Sequence, residues 1–111
     1  MAAGRAPTTC LFKMNIDPIL WIGIDIGLKR DTSALVATYH DHDTDTFDMW
    51  GFRIWTPPVN MIVQVEPVLR RLLQQQRIGG VFYDPTQFET TRQRMAGEGF
   101  GHLFIEVNQM T

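Results

Sequence analysis

The chain has 111 residues, of which 44% are hydrophobic and 11% aromatic, which is enough for one domain with a single core and too little for two. Its formal net charge of −2 argues against a polybasic, histone-like binder, so any contact with nucleic acid would depend on local patches. Cys10 is the only cysteine, which excludes an internal disulfide and a thiolate metal cluster.

Residues 1–18 show no sustained hydrophobic period and are predicted to be a tail or linker. No apolar run reaches the length that spans a membrane, and the N-terminus lacks the apolar segment of a secretory signal. We therefore expect a cytoplasmic protein with no membrane partner, in which residues 19–111 form the domain.

Three strands are predicted in the first half of this domain. Residues 20–27 read LWIGIDIG, an apolar run that suits a strand buried on both faces at the centre of a sheet. Residues 33–39 and 47–55 are the next two strands, and the short connections predict an antiparallel meander. The large apolar side chains of the third strand are expected to lie in the core or on a covered sheet face: Trp50, Phe52 and Ile54, or Met49 and Trp55.

A helix and a fourth strand follow Pro57 and Pro58. An apolar stripe at helical spacing predicts a helix that starts near Val65 or Glu66 and is closed by Gly79 and Gly80. Residues 81–84 (VFYD) then read as a short strand that ends in a carboxylate.

A second helix and a fifth strand complete the pattern. Thr86 and Glu89 have the spacing of a capping box, which predicts a helix over residues 87–96. Residues 102–107 (HLFIEV) read as the last strand. Because a strand, helix and parallel strand connect in a right-handed crossover, the fourth strand should lie beside the first. The predicted fold is α/β, with a five-stranded mixed sheet in the order 3-2-1-4-5 and crossover helices.

Two adjacent parallel strands of this sheet end in a carboxylate, Asp25 on the first and Asp84 on the fourth. Strands lie about 4.8 Å apart, so the two side chains could share ions roughly 3.5–4 Å from each other, as in two-metal phosphodiester hydrolysis. Without a cation the like charges would repel, and oxygen ligands favour Mg²⁺ or Mn²⁺ over Zn²⁺. The alternative is that Asp25 only orders the turn into Gly27.

Other polar residues near this pair have two interpretations each. Asp31 could orient a metal-bound water or could hydrogen-bond the loop backbone. Lys29 and Arg30, beside Asp25, could contact DNA phosphates, as could Arg92 and Arg94 on the second helix, or they could be solvated. Glu66 at the start of the first helix is best explained by the helix dipole.

Four segments together carry a resemblance to a known family: GIDIG followed by DTSAL, then IWTPP and VFYDPTQF. They resemble the nuclease domain of the large terminase subunit of tailed phages, which has a ribonuclease H-like fold, and the likeness covers roughly Trp21 to Gln109. It implies that Asp25 and Asp84 are catalytic and are two of three acidic metal ligands, with Asp31 an additional acidic residue near the metals.

The resemblance also implies a biological role. The family would be a metal-dependent endonuclease that cuts double-stranded viral DNA during genome packaging. Other terminase subunits and the portal would be its partners, and the phage or prophage product would act in the cytoplasm of the host cell.

Two features of the family are not found in this sequence. The third acidic ligand lies on a later element, beyond Thr111, and Glu106 is a poor substitute for it. No GxxxxGK[ST] motif of the family's ATPase domain occurs. The resemblance therefore implies a fragment, incomplete at its C-terminus, without the motor and part of the active site, so that cleavage by the isolated chain is not implied.

Three other functions are compatible with the residues. A Holliday-junction resolvase or another ribonuclease H-like nuclease fits the GIDIG strand equally well. Half of an actin or sugar-kinase type nucleotide-binding domain begins with a similar strand and meander, although residues 28–31 put bulk and charge where its phosphate would lie and Asp84 has no role there. A domain that only binds DNA or a packaging partner is the non-catalytic alternative.

Overall fold

A computed structural model describes residues 18–27 and 31–107 of the chain. The predicted order of elements is confirmed. The strands are β1 (Ile19–Asp25), β2 (Ser33–Asp41), β3 (Thr46–Trp55), β4 (Arg77–Tyr83) and β5 (Phe104–Glu106), and the α-helices are α1 (Glu66–Gln75) and α2 (Glu89–Met95). Short helical turns flank both helices, at Met61–Val65, Pro85–Gln87, Ala96–Phe100 and Gly101–Leu103.

The five strands form one mixed sheet in the order β3-β2-β1-β4-β5. β1 pairs antiparallel with β2, which pairs antiparallel with β3, whereas β1 with β4 and β4 with β5 are parallel pairs. The predicted order 3-2-1-4-5 is therefore confirmed. It makes β1 the central strand and sets the carboxyl ends of β1 and β4 side by side.

Only one face of the sheet is buried in the described part of the chain. Burial alternates along β1. Leu20, Ile22 and Ile24 are buried, whereas Ile19, Trp21 and Asp25 are exposed. The prediction that this strand is apolar and buried on both faces is wrong, because period-two alternation sends successive side chains to opposite faces and the core lies against only one of them.

We call the other side the open face. Strand registers assign the following residues to it: Ile19, Trp21, Gly23 and Asp25 of β1; Ala34, Val36, Thr38 and His40 of β2; Phe47, Met49, Phe52 and Ile54 of β3; Phe82 of β4; and Ile105 of β5. The expected cover over Met49, Phe52 and Ile54 is therefore not observed. Trp55, on the opposite face, is buried as expected.

The buried face carries the core. Val65, Leu69 and Leu73 line the inner side of the first helical segment and join the buried β1 and β2 side chains in one cluster. The second helical segment adds Phe88 and Met95. Aromatic rings at 5.2–6.0 Å between centroids link three elements around β4: Tyr83, Phe88 and Phe104. This cluster fixes the end of β4, immediately before Asp84.

Two predicted boundaries are wrong for identifiable reasons. The first helix ends at Gln75, and Gly79 and Gly80 lie inside β4. A Cβ atom on Gly79 would come within 2.7 Å of the Trp21 ring, so this glycine accommodates a neighbouring side chain rather than a helix end. The Thr86–Glu89 capping box is replaced by a cap from Asp84.

None of the helices within residues 18–27 and 31–107 is long and apolar enough to cross a bilayer.

Candidate active site

The carboxyl ends of β1 and β4 place Asp25 and Asp84 together. In the parallel register Ile24 is opposite Tyr83, and each is followed at once by its aspartate. Asp25 is exposed on the open face and Asp84 is half-buried. Both aspartates line a single shallow depression of about 370 Å³, together with Gly23, Ile24, Ala34, Val36, Phe82, Tyr83 and Val107. The pairing of β1 with β4 therefore brings Asp25 and Asp84 to the same edge of the sheet, as the sequence predicts.

A local hydrogen-bonded turn orients the Asp84 carboxylate. Its Oδ1 atom accepts a hydrogen bond from the backbone N–H of Thr86 at 2.9 Å and another from the Thr86 hydroxyl at 2.8 Å. The backbone hydrogen bond first, and the hydroxyl second, hold the pKa of Asp84 below its ordinary value. The side chain is thus ionised at neutral pH and restrained in its direction, as a cation ligand requires.

The turn after Asp25 is packed tightly on itself. The backbone N–H of Gly27 donates a hydrogen bond to the Ser33 hydroxyl at 2.8 Å. A Cβ atom at Gly27 would lie 2.5 Å from the backbone oxygen of Asp31, so only glycine fits there without a shift. The Asp31 backbone therefore closes against the end of β1, close in sequence to Asp25.

Asp31 does not line the depression, and its role near the metals stays a prediction. Within residues 18–27 and 31–107 no group of three or more His, Cys, Asp or Glu side chains is placed to hold one metal ion. Lys29 and Arg30, the predicted DNA contacts, lie outside the described residues, so their role stays a prediction.

Two other acidic residues named in the sequence analysis, Glu66 and Glu106, do not line the depression. Glu66 is buried at the start of α1, where it accepts hydrogen bonds from the Thr91 hydroxyl at 2.8 Å and from Arg94 Nη2 at 2.7 Å. Glu106 is opposite Tyr83, whose side chain lies on the buried face. Arg94, considered above as a phosphate contact, is thus bound to Glu66.

The donors that the structure brings together fit a hard divalent cation. Mg²⁺ is commonly held by one or two carboxylates and completes its octahedron with water and substrate phosphate. Asp25 and Asp84 supply two carboxylates on one solvent-accessible depression. No histidine or cysteine lines it, which disfavours a zinc site. The residues present therefore fit Mg²⁺ or Mn²⁺.

Thr86 is the site residue that sequence reasoning assigned wrongly. Its spacing from Glu89 predicts that it caps the second helix, but its N–H and hydroxyl instead donate hydrogen bonds to Asp84. The signal was available, since an aspartate commonly accepts a hydrogen bond from the backbone two residues later.

Comparison with known proteins agrees with this architecture. The crystal structure of the HK97 bacteriophage large terminase superimposes with a TM-score of 0.64 at 15% identity, over 86% of this chain and 26% of that one. The fowlpox virus Holliday junction resolvase gives a TM-score of 0.55 at 15% identity, over 81% of this chain and 61% of that one. No protein-family model and no curated protein sequence matches significantly.

These likenesses establish the fold. The five-stranded sheet in the order 3-2-1-4-5 with its crossover helices is ribonuclease H-like, as the resemblance implied. The chain spans less than two thirds of either protein, and about a quarter of the terminase.

Proposed function

We propose that this chain is a ribonuclease H-like nuclease domain that hydrolyses phosphodiester bonds in DNA with Mg²⁺ or Mn²⁺ held by Asp25 and Asp84. The observation that carries the proposal is the shared depression at the carboxyl ends of β1 and β4, which both aspartates line. Two carboxylates that line one solvent-accessible depression repel each other, and a divalent cation held by both would offset that repulsion.

Each side chain has a defined part in this proposal. Asp84, oriented by Thr86 and with its pKa lowered, presents an ionised oxygen in a restrained direction. Asp25 presents its carboxylate from the central strand toward solvent, where a phosphate can approach. The chemistry supplied by a bound divalent ion would be activation of water and stabilisation of charge on the phosphate.

The biological setting that we propose is phage DNA packaging, with double-stranded DNA as substrate and other terminase subunits and the portal as partners in the host cytoplasm. The GIDIG, DTSAL and VFYDPTQF segments support this, as does the fold shared with the HK97 large terminase. Asp31, Lys29 and Arg30 are proposed to lie near the metal and the DNA backbone.

Junction resolution is a second candidate, because the likeness to the fowlpox Holliday junction resolvase covers 61% of that protein. The two candidates differ in substrate rather than in chemistry. Cleavage of linear double-stranded DNA favours the terminase type, and selective cleavage of a four-way junction favours the resolvase type. The kinase-like alternative assigns no role to Asp84, which lines the same depression as Asp25.

The test is calorimetric binding of Mn²⁺ and Mg²⁺, followed by cleavage assays on both DNA substrates. Asp25→Asn and Asp84→Asn should each abolish metal binding and any metal-dependent cleavage while circular dichroism remains unchanged. Asp43→Asn, in the β2–β3 turn, is the matched control and should bind like the wild type. Metal binding that survives both substitutions would refute the proposed site, and ATP binding without metal dependence on Asp84 would favour the kinase-like alternative.

A further inference from the structure

The glycines inside the strands differ in what their missing side chains make room for. A glycine weakens a strand, and it commonly marks a bulge or a place where a ligand or another part of the protein comes close. The described strands contain four glycines: Gly23 in β1, Gly51 in β3, and Gly79 and Gly80 in β4.

Three of these glycines are explained by the sheet itself. A Cβ atom on Gly79 would come within 2.7 Å of the Trp21 ring. A Cβ atom on Gly80 would come within 2.8 Å of Ile105. Gly51 lies where the register between β2 and β3 shifts, which is typical of a β-bulge. Neighbouring side chains and strand pairing therefore account for all three.

Gly23 has none of these features. It pairs in regular register with Val36 on β2 and with Phe82 on β4. No atom lies within 4 Å of the position that its Cβ would take. Among the described glycines only Gly99 has a positive φ, so the backbone conformation at Gly23 does not require glycine either. Within the described residues, nothing in the protein uses the gap above Gly23.

This gap belongs to the depression that holds the acid pair. Gly23 lies two residues before Asp25 on β1, which is about 6.6 Å along the strand. Phe82, its neighbour on β4, lies two residues before Asp84. All four residues line the depression of about 370 Å³. The gap therefore adjoins both carboxylates on the open face.

The lining of the gap is apolar. Val36 and Phe82 flank it on the two neighbouring strands. Tyr83 also lines the depression, but it is 4% exposed and its ring packs against Phe88 and Phe104 on the buried face. Among the described residues, only the two aspartates present polar side chains there.

We infer that Gly23 determines substrate specificity, because the gap above it receives the deoxyribose next to the scissile phosphate. This inference rests on the proposed function, since a cation held by Asp25 and Asp84 would fix the phosphate at the end of the gap. A phosphodiester carries a sugar on each side, so one sugar then lies over Gly23. Deoxyribose presents a CH₂ group to the apolar lining, whereas the 2′-hydroxyl of ribose would lose its water without gaining a partner.

Gly23→Ala and Gly23→Val test this inference in two binding assays. Mn²⁺ binding measured by calorimetry should be unchanged in both variants, because both aspartates remain. Fluorescence anisotropy of a labelled linear DNA duplex and of a labelled four-way junction, with Mn²⁺ and with EDTA, measures the metal-dependent affinity for DNA. Gly23→Val should weaken this affinity at least tenfold, which is about 1.4 kcal/mol. Gly23→Ala should weaken it less, because it adds a single carbon atom.

Gly51→Val is the matched control. Gly51 is also a strand glycine with nothing within 4 Å of an added Cβ, but it does not line the depression. This variant should bind DNA like the wild type. Gly23→Val with wild-type affinity for DNA would overturn the inference and leave the metal site standing. A wild type that binds no Mn²⁺ would refute the proposed function and this inference with it.

Urea denaturation separates a substrate in the gap from a segment of the chain in the gap. Gly23→Val should unfold at the same urea concentration as the wild type or at a higher one, because the added atoms meet no neighbour and a strand glycine is removed. A lower midpoint than that of the wild type would show that the chain itself fills the gap, and would overturn the inference.

The assignment of the gap to deoxyribose has its own test. In Mn²⁺ the wild type should bind the linear DNA duplex at least tenfold more tightly than an RNA duplex of the same sequence, and this preference should shrink in Gly23→Val. Equal affinity of the wild type for DNA and RNA would overturn the assignment. A preference that Gly23→Val leaves unchanged would also overturn it, because the different shapes of the two duplexes would then explain the preference.

Discussion

Replacing Glu66 by alanine should destabilise the domain more than any other single loss of a charge described above. Glu66 is 1% exposed and belongs to α1, whereas its donors Thr91 and Arg94 belong to α2. Hydrogen bonds of 2.8 Å from Thr91 and of 2.7 Å from Arg94 Nη2 converge on its Oε2 atom. The substitution therefore removes this hydrogen-bonded link between the two helices and leaves both donors without this acceptor.

The magnitude follows from how much of each donor can reach water. Removing one member of a fully buried ion pair costs about 3–5 kcal/mol. The Arg94 side chain is 42% exposed and can be hydrated, which reduces this cost. The Thr91 hydroxyl belongs to a residue that is only 2% exposed, and an unsatisfied buried group costs about 1–3 kcal/mol. We expect a loss of about 2–4 kcal/mol in the free energy of unfolding.

Urea denaturation followed by circular dichroism measures this loss, and Glu98→Ala is the control. Glu98 pairs with Arg70 at 2.8 Å, but both side chains are about one third exposed, so its removal should cost about 0–1 kcal/mol. The reasoning is refuted if Glu66→Ala costs no more than Glu98→Ala, because the buried network would then contribute nothing beyond a surface ion pair.

The same network predicts how stability depends on pH. Burial raises the pKa of Glu66, but the hydrogen bonds from Arg94 and Thr91 and the charges of Arg94 and Arg70 outweigh it, so the pKa lies below its ordinary value of 4.5. The ionised carboxylate therefore stabilises the fold above pH 4.5, and this contribution is lost as the pH falls through the folded-state pKa. The stability difference between the wild type and Glu66→Gln should shrink over that range.

Three further outcomes are expected. Thr86→Val should raise the pKa of Asp84 toward its ordinary value, because the hydroxyl bond is lost; a carboxyl ¹³C titration that shows no rise would contradict this. Gly27→Ala should cost about 1–3 kcal/mol through overpacking against the loop backbone, whereas Gly97→Ala, which has open space, should be neutral in the same urea assay. Mn²⁺ at about a hundredfold its Kd should stabilise the wild type by about 2.7 kcal/mol; a melting temperature raised equally in Asp25→Asn would contradict the site.

The arrangement of strands could be predicted because it depends on local signals and one chirality rule. Each strand ends in polar or turn residues. Because the second strand already pairs with one side of the first, a right-handed crossover places the fourth strand on its other side. Burial of one face only could not be predicted. The run LWIGIDIG is compatible with cover on one side or on both, and the outcome depends on where α1 and α2 pack, which is a tertiary property.

The acid pair could be predicted for the same reason as the sheet, since Asp25 and Asp84 each follow an apolar run. The contacts that support the site were harder to predict. Thr86 has the spacing of a helix cap relative to Glu89, but the Asp84 carboxylate two residues earlier competes for the same N–H and obtains it. The pairing of Arg94 with Glu66 joins residues 28 positions apart, and no local pattern specifies it.

The central place of β1 has a consequence for hydrogen exchange. β1 is hydrogen-bonded on both sides, by β2 and β4, whereas β3 is an edge strand that follows the exposed turn at Asp43. Amide protons in the middle of β1 should therefore exchange only through global unfolding, and those at the tip of the β2–β3 hairpin through local opening. The carboxylate of Asp25 extends from the segment that opens least often, so fluctuations of the hairpin leave its position relative to β4 unchanged.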